Sequence, residues 1–156
     1  MDAVDRKILA ELQREGRISN AELAERVRLS PSPCLRRVRR LEETGIITGY
    51  TAILDRGAMG CGFQVFVAVE MSDERRSVLM ELEERIAALP EVLAAFRLFG
   101  NPDYLLIVGC ADAEVYEQFY STTLSTLPGV QRVTSYMVMK TIKRTPGAPV
   151  VLIGLS

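Results

Sequence analysis

Residues 19–45 read SNAELAERVRLSPSPCLRRVRRLEETG. Ser19 opens the stretch, and Glu22 three residues later completes a capping box, in which each side chain satisfies the other residue's backbone N–H. Leu23, Ala24 and Val27 then form one apolar stripe at helical spacing. Arg28-Leu29 interrupts it. Ser30-Pro31-Ser32-Pro33 supplies two overlapping start signals, each a serine cap followed by a first-turn proline. The helix begun there is predicted to run to about Thr44, with Gly45 as its stop.

Drawn at 100° per residue, this last helix has two sides. Cys34, Leu35, Val38 and Leu41 cluster on one of them. Ser32, Pro33, Arg36 and Arg40 lie opposite, with Arg37 and Arg39 on the flanks. Upstream, Val4, Ile8, Leu9 and Leu12 predict a helix over residues 2–14, with Asp2 and Asp5 in the first turn and Gly16 as its end. Three helices, the last with an apolar inner and a cationic outer face, describe a helix-turn-helix whose third helix enters a major groove N-terminus first. Residues 27–41 carry Arg28, Arg36, Arg37, Arg39 and Arg40 and no acid. A solvated charged face is the ordinary explanation of such a run; the acid-free composition and the three-helix spacing favour nucleic acid. Residues 46–53, rich in Ile, Thr and Tyr, read as a strand that forms a wing and a link to a second module.

The whole chain has 156 residues, 48% of them apolar and 25% charged, an ordinary globular composition. Its net charge of −1 averages two unlike parts. Residues 1–50 hold ten basic and eight acidic groups, whereas residues 51–156 hold nine and twelve. The chain has no histidine, which excludes a Ser-His-Asp triad, a Cys-His pair, a His-ligated metal and an imidazole base. Cys34, Cys61 and Cys110 are widely spaced, without a CxxC pair, and read as buried small apolar residues of a reduced, cytoplasmic protein. No apolar run approaches the roughly 20 residues of a membrane span, and the N-terminus lacks a signal-peptide pattern. No metal site or cofactor motif is evident.

Beyond residue 61 the period of the pattern alternates. Residues 63–71 are a strand, 74–89 an amphipathic helix stopped by Pro90, and 92–99 a second strand. Gly100-Asn101-Pro102-Asp103 is a concentrated turn, 104–110 a third strand, and Asp112 caps a second helix bearing Tyr116, Phe119, Tyr120, Thr123, Leu124 and Leu127. Pro128-Gly129 breaks it, and 130–139 is a fourth strand. This β-α-β-β-α-β order is the ferredoxin-like arrangement. The fold class is therefore α+β: a helix-turn-helix over residues 1–50, a linker over 51–61, a ferredoxin-like domain over 62–144 and a tail over 145–156. Both helices of that topology lie on one side of the sheet. Yet the strands are apolar on both sides, Phe66 and Ala68 opposite Val65 and Val67, and Leu93 and Ala95 opposite Ala94 and Phe96. An uncovered apolar sheet face marks an interface, and a twofold dimer is the simplest cover. Residues 150–155 are apolar and are expected to add a strand, either to their own domain or to a neighbouring subunit.

The motifs together resemble the Lrp/AsnC family of transcriptional regulators over nearly the whole chain. The resemblance is carried by Asp2-Ala3-Val4-Asp5-Arg6-Lys7-Ile8-Leu9, Gly16-Arg17-Ile18-Ser19, Glu22-Leu23-Ala24, Leu29-Ser30-Pro31-Ser32-Pro33-Cys34, Arg37-Val38-Arg39-Arg40-Leu41-Glu42, Gly45-Ile46-Ile47-Thr48-Gly49-Tyr50 and Leu127-Pro128-Gly129-Val130. It implies a winged helix-turn-helix on a ligand-sensing domain, assembled as dimers and commonly octamers, with an amino acid or related effector bound between dimers. On that pattern, DNA contacts fall to Arg28, Ser30, Ser32, Pro33, Arg36, Arg37, Arg39 and Arg40. The family's ligand loop corresponds to Gly100, Asn101, Pro102, Asp103 and Tyr104, and its fourth-strand positions to Thr134, Ser135 and Tyr136. Two residues depart from the pattern. Arg28 stands where a glycine is usual, and Asn101 replaces the loop's first aspartate. Two other readings compete: an architectural DNA-compacting protein without an effector, and an enzyme related to haem-pathway decarboxylases. The missing histidines weigh against the enzyme.

Overall fold

The computed structural model describes residues 1–143, which divide into two compact units, Met1–Ile53 and Leu54–Ile142. The tail expected to form a strand lies outside the described residues.

In the first unit, α1 (Ala3–Arg14), α2 (Asn20–Arg26) and α3 (Pro31–Glu43) pack around Ile8, Leu9, Leu23, Ala24, Val27, Cys34 and Leu41, all buried. The capping box at Ser19 and Glu22 is present as expected. A second box, not foreseen, caps α1: the Asp2 carboxylate accepts the N–H groups of Val4 and Asp5, and the Asp5 carboxylate accepts that of Asp2. Of the two overlapping starts of α3, Ser30 is the cap and Pro31 the first helical residue, although the serine hydroxyl makes no capping bond. The Asn20 side-chain amide instead donates to the Pro31 carbonyl at 3.0 Å, tying the start of α2 to the start of α3.

Several expectations need correction. Gly16 lies outside the left-handed region and α1 ends on Glu15, whereas Gly45 follows α3 with a positive φ, of 71°. Leu35 is exposed, because it stands about 100° round the helix from Cys34, at the edge of the packed stripe. Residues 46–53 form no strand. No described strand lies beside them to share a ladder; Ile47 N–H turns back to the Leu41 carbonyl, and the Tyr50 hydroxyl donates to Glu42 at 2.8 Å. Cys61 is half-buried, unlike Cys34 and Cys110.

The second unit is a four-stranded antiparallel sheet of order β2-β3-β1-β4, built from β1 (Phe63–Met71), β2 (Val92–Arg97), β3 (Tyr104–Cys110) and β4 (Val130–Met137). Helices α4 (Arg76–Ala87) and α5 (Ala113–Thr122) join them, which is the ferredoxin-like topology. Leu79, Leu82 and Ile86 of α4 and Tyr116 and Phe119 of α5 share one core with Val65, Val67, Val69, Leu106 and Val108, so both helices cover the same sheet face. Helix α4 begins two residues later than its periodicity implied, because Asp73 accepts the Arg75 N–H and holds the chain in a turn. The second and fourth strands are each two residues shorter than expected. Gly129 adopts φ 68°, and a Cβ there would stand 2.5 Å from Val78 Cγ1, so the turn into β4 requires glycine.

The far face of the sheet is the apolar one anticipated. Phe66 pairs with Tyr136 and Ile107, and Leu105 pairs with Ala68 and Phe96. Phe96 and Tyr136 are half or more exposed. A bulge between Val92 and Ala94 breaks the simple alternation expected in β2.

Arg28, between α2 and α3, has φ 59° and is the one non-glycine residue at positive φ among the described residues. Replacement Arg28→Gly is expected to stabilise the first unit by about 1 kcal/mol, because a Cβ in the left-handed region costs roughly that much. Urea melts of the two proteins check it.

Candidate functional site

All eight residues expected to contact DNA fall on the α2–α3 turn and α3. Arg28, Ser30, Ser32, Arg36, Arg39 and Arg40 are exposed, and Pro33 and Arg37 are half-buried. Ser32, Arg36, Arg39 and Arg40 border one shallow depression, together with Leu35, Arg37 and Glu43. The five arginines are not equivalent. Arg28, Arg36 and Arg39 make no ion pair among the described residues, so their guanidinium groups are available. Arg37 and Arg40 are committed elsewhere.

The acceptors are the carboxylates that cap α1. Arg37 Nη1 donates to Asp2 Oδ2 and Asp5 Oδ1, both at 2.7 Å, and Arg40 Nη2 donates to Asp5 Oδ2 at 2.7 Å. Asp5 is fully buried, Arg37 is 30% exposed and Arg40 56%. Burial opposes the Asp5 charge, but the Asp2 N–H and the Arg37 guanidinium outweigh it, and the carboxyl lies below its ordinary range. The Asp5 N–H, then Arg37, hold the Asp2 carboxyl down to about 2. Both aspartates push Arg37 up. The exposed pairs Arg26–Glu11 and Arg26–Glu15, at 3.2 and 2.8 Å, also join α2 to α1, but solvent-exposed pairs contribute at most about 1 kcal/mol. A buried carboxylate stripped of its partners costs several times that. Asp5 is therefore the residue that fixes α3 against α1. Sequence reasoning saw Asp2 and Asp5 as dipole partners only. Their i, i+3 spacing, matched by Arg37 and Arg40 on α3, was the available signal.

The second set of predicted residues divides by face. In the β2–β3 loop, Asp103 is absorbed by the backbone: its Oδ2 accepts the Met71 N–H at 2.7 Å, its N–H donates to the Val69 carbonyl, and its carbonyl accepts the Leu98 N–H. Gly100 and Asn101 stand exposed beside it, and Pro102 is half-buried. Tyr104 points to the helices, where its hydroxyl donates to Glu83 at 2.8 Å; burial first, then Glu83, pushes it up to about 12. Ser135 also faces the helices, against the Tyr116 hydroxyl. Thr134 and Tyr136 alternate onto the open face. Strand β1 separates β3 from β4, which puts the loop and the β4 positions about 10 Å apart across the sheet. One chain thus brings the loop residues together but not the loop with Thr134 and Tyr136. No group of three or more metal-ligating side chains is present among the described residues. No described helix is long and apolar enough to cross a membrane.

Residues 64–148 match the Lrp/AsnC ligand binding domain, and residues 1–48 match a winged helix-turn-helix DNA-binding domain. The leucine-responsive regulatory protein of Haemophilus influenzae is 42% identical over 145 residues, 93% of this chain and 87% of that protein. A transcriptional regulator of Neisseria meningitidis, solved as its L-Met complex, superposes with a TM-score of 0.93 at 39% identity, over 98% of this chain and 99% of that one. AsnC of Escherichia coli superposes with a TM-score of 0.80 at 25% identity, over 92% and 95% of the two chains.

Because both aspartates titrate below their ordinary value, their contribution to stability is present above the ordinary carboxylate range and is lost as the pH falls through their lowered values, which for Asp2 is about 2. Thermal melts between pH 5 and pH 2 should show this loss in the first unit. Substitution Asp5→Asn should lower stability at pH 7 by roughly 2–3 kcal/mol, below the full value of a buried pair because Arg40 is half solvated, and should flatten the acid limb.

Proposed function

This chain belongs to the Lrp/AsnC family of transcriptional regulators, and on that premise we propose how its residues divide the work. The family's two parts, a DNA-binding helix-turn-helix and a ligand-binding domain, are both present. In our reading residues 1–50 bind DNA, residues 51–61 connect, and residues 62–144 sense a ligand and assemble subunits. Ser32, Pro33 and Arg36, in the first half of α3, read base edges in the major groove. Arg28 and Arg39 anchor phosphates, Ser30 stands at the helix N-terminus where a phosphate also fits, and Arg37 and Arg40 act from their places beside Asp5. The observation that carries this reading is the presence of three exposed arginines without an ion pair among the described residues, Arg28 in the turn before α3 and Arg36 and Arg39 on it, where α3 is clamped to α1 through Asp5.

The effector is an amino acid or a related small molecule. The likeness to a relative crystallised with L-Met supports that class. Gly100, Asn101 and Pro102 form one wall of its site and Thr134 and Tyr136, on the open face, another, while Asp103, Tyr104 and Ser135 hold those walls in place from the backbone and the helix side. The separation of these walls within one chain supports a site completed between subunits. Covering the open apolar face by a second copy gives a twofold dimer, and such dimers assemble further, to an octamer. The protein is a regulator rather than an enzyme, needs no cofactor, and works in the cytoplasm, where its DNA lies.

Two measurements test this. Arg36→Ala should weaken binding to a duplex enriched by the protein from a random pool by roughly 1–3 kcal/mol with an unchanged melting temperature; unchanged affinity removes α3 from the interface. In a thermal-shift screen of the twenty amino acids, at least one, with L-methionine the first to try, should raise Tm. No shift with any would favour an architectural protein without an amino-acid effector.

A further inference from the structure

The geometry around Asp5 points beyond holding the fold. Arg40 lies two turns beyond Ser32 and one beyond Arg36, on the same side of α3, and its side chain is 56% exposed. One of its terminal nitrogens is held by a carboxylate with no exposure at all. A guanidinium is a rigid plane with five N–H donors, so holding one nitrogen narrows the directions open to the rest. The outward N–H groups of Arg40 are thereby aimed before any ligand arrives. The same carboxylates neutralise charge: Asp2, Asp5, Arg37 and Arg40 together carry none.

We propose that Asp5 is a positioning residue of the DNA interface, which aims the Arg40 guanidinium at the duplex while cancelling the charge that Arg37 and Arg40 would otherwise offer to any phosphate. The proposal rests on α3 being the DNA-facing helix. Its consequence is selectivity. Sequence-independent affinity scales with the number of free cations that displace counterions. Arg28 and Arg39, the phosphate anchors, supply that term here. Arg40 adds contact only where the duplex docks in register, because its plane is already set and does not follow phosphates on a misplaced duplex.

The test compares two duplexes, one enriched by the wild-type protein from a random pool and one of scrambled sequence, by fluorescence anisotropy across a salt series. Circular dichroism first establishes that each variant is folded. For Asp5→Asn, affinity for the enriched duplex should fall tenfold or more, while affinity for the scrambled duplex rises several-fold. The slope of log K against log salt for the scrambled duplex should steepen by about 0.9, the value for one added cation. Equal change on both duplexes with an unchanged slope would overturn the proposal and leave Asp5 a structural role alone. Arg40→Lys keeps the ion pair and the charge but not the plane, and it serves if Asp5→Asn does not fold. It should lose tenfold on the enriched duplex with little change on the scrambled one; an unchanged ratio would overturn the aiming of Arg40. Arg36→Ala separates the two levels. If it too leaves both affinities unchanged, α3 is not the DNA-facing helix; if it weakens the enriched duplex while Asp5→Asn and Arg40→Lys keep the ratio, only the aiming role of Asp5 fails.

Discussion

The first unit depends on one buried carboxylate. Asp5 has no solvent exposure, yet it accepts the Asp2 N–H, one nitrogen of Arg37 and one of Arg40. A charge in that position is tolerable only with all its partners in place. Its requirement therefore sets the start of α1, the rotation of α3 and the distance between them. The apolar core of Ile8, Leu23, Cys34 and Leu41 favours compaction but leaves the rotation of α3 loosely specified, since dispersion and burial are not directional. The ion pairs specify it. With α3 so turned, Arg36 and Arg39 are exposed and make no ion pair among the described residues.

The second unit is governed by a different constraint, the exposure of a sheet that is apolar on both faces. One face is satisfied by Leu79, Leu82, Ile86, Tyr116 and Phe119 from the helices. The other carries Phe66, Leu105, Ile107, Phe96 and Tyr136, and neither α4 nor α5 lies over it. An apolar face of that kind, left uncovered by the described residues of its own unit, is the kind of surface that a second copy covers in the dimer proposed above. The loop that carries Asn101 depends on β1 through Asp103, whose carboxylate is spent on the Met71 N–H.

Much of this was legible in the residues. The capping box at Ser19 and Glu22, the proline start of α3 and the switch of period between 3.6 and 2 are local signals, and the element order with the ferredoxin-like topology came from them. What escaped was non-local or geometric. Asp5 meets Arg37 and Arg40 across 32 and 35 residues, and no window of sequence joins them. The five arginines looked alike by composition, and only the contact with α1 separates two of them from three. Residues 46–53 have strand composition, but a strand needs a neighbour, and none stands beside them among the described residues. Thr134, Ser135 and Tyr136 are consecutive in sequence and therefore alternate between faces, so they cannot all line one surface of the sheet.

The most direct measurement is a high-resolution structure of the protein bound to a duplex that it has enriched from a random pool. The first half of α3 should lie in the major groove, with Arg36 at base edges and Arg40 touching DNA while its Nη2 remains within hydrogen-bond distance of Asp5. Arg40 swung away from Asp5, or α3 lying outside the groove, would contradict the role given to the buried carboxylate.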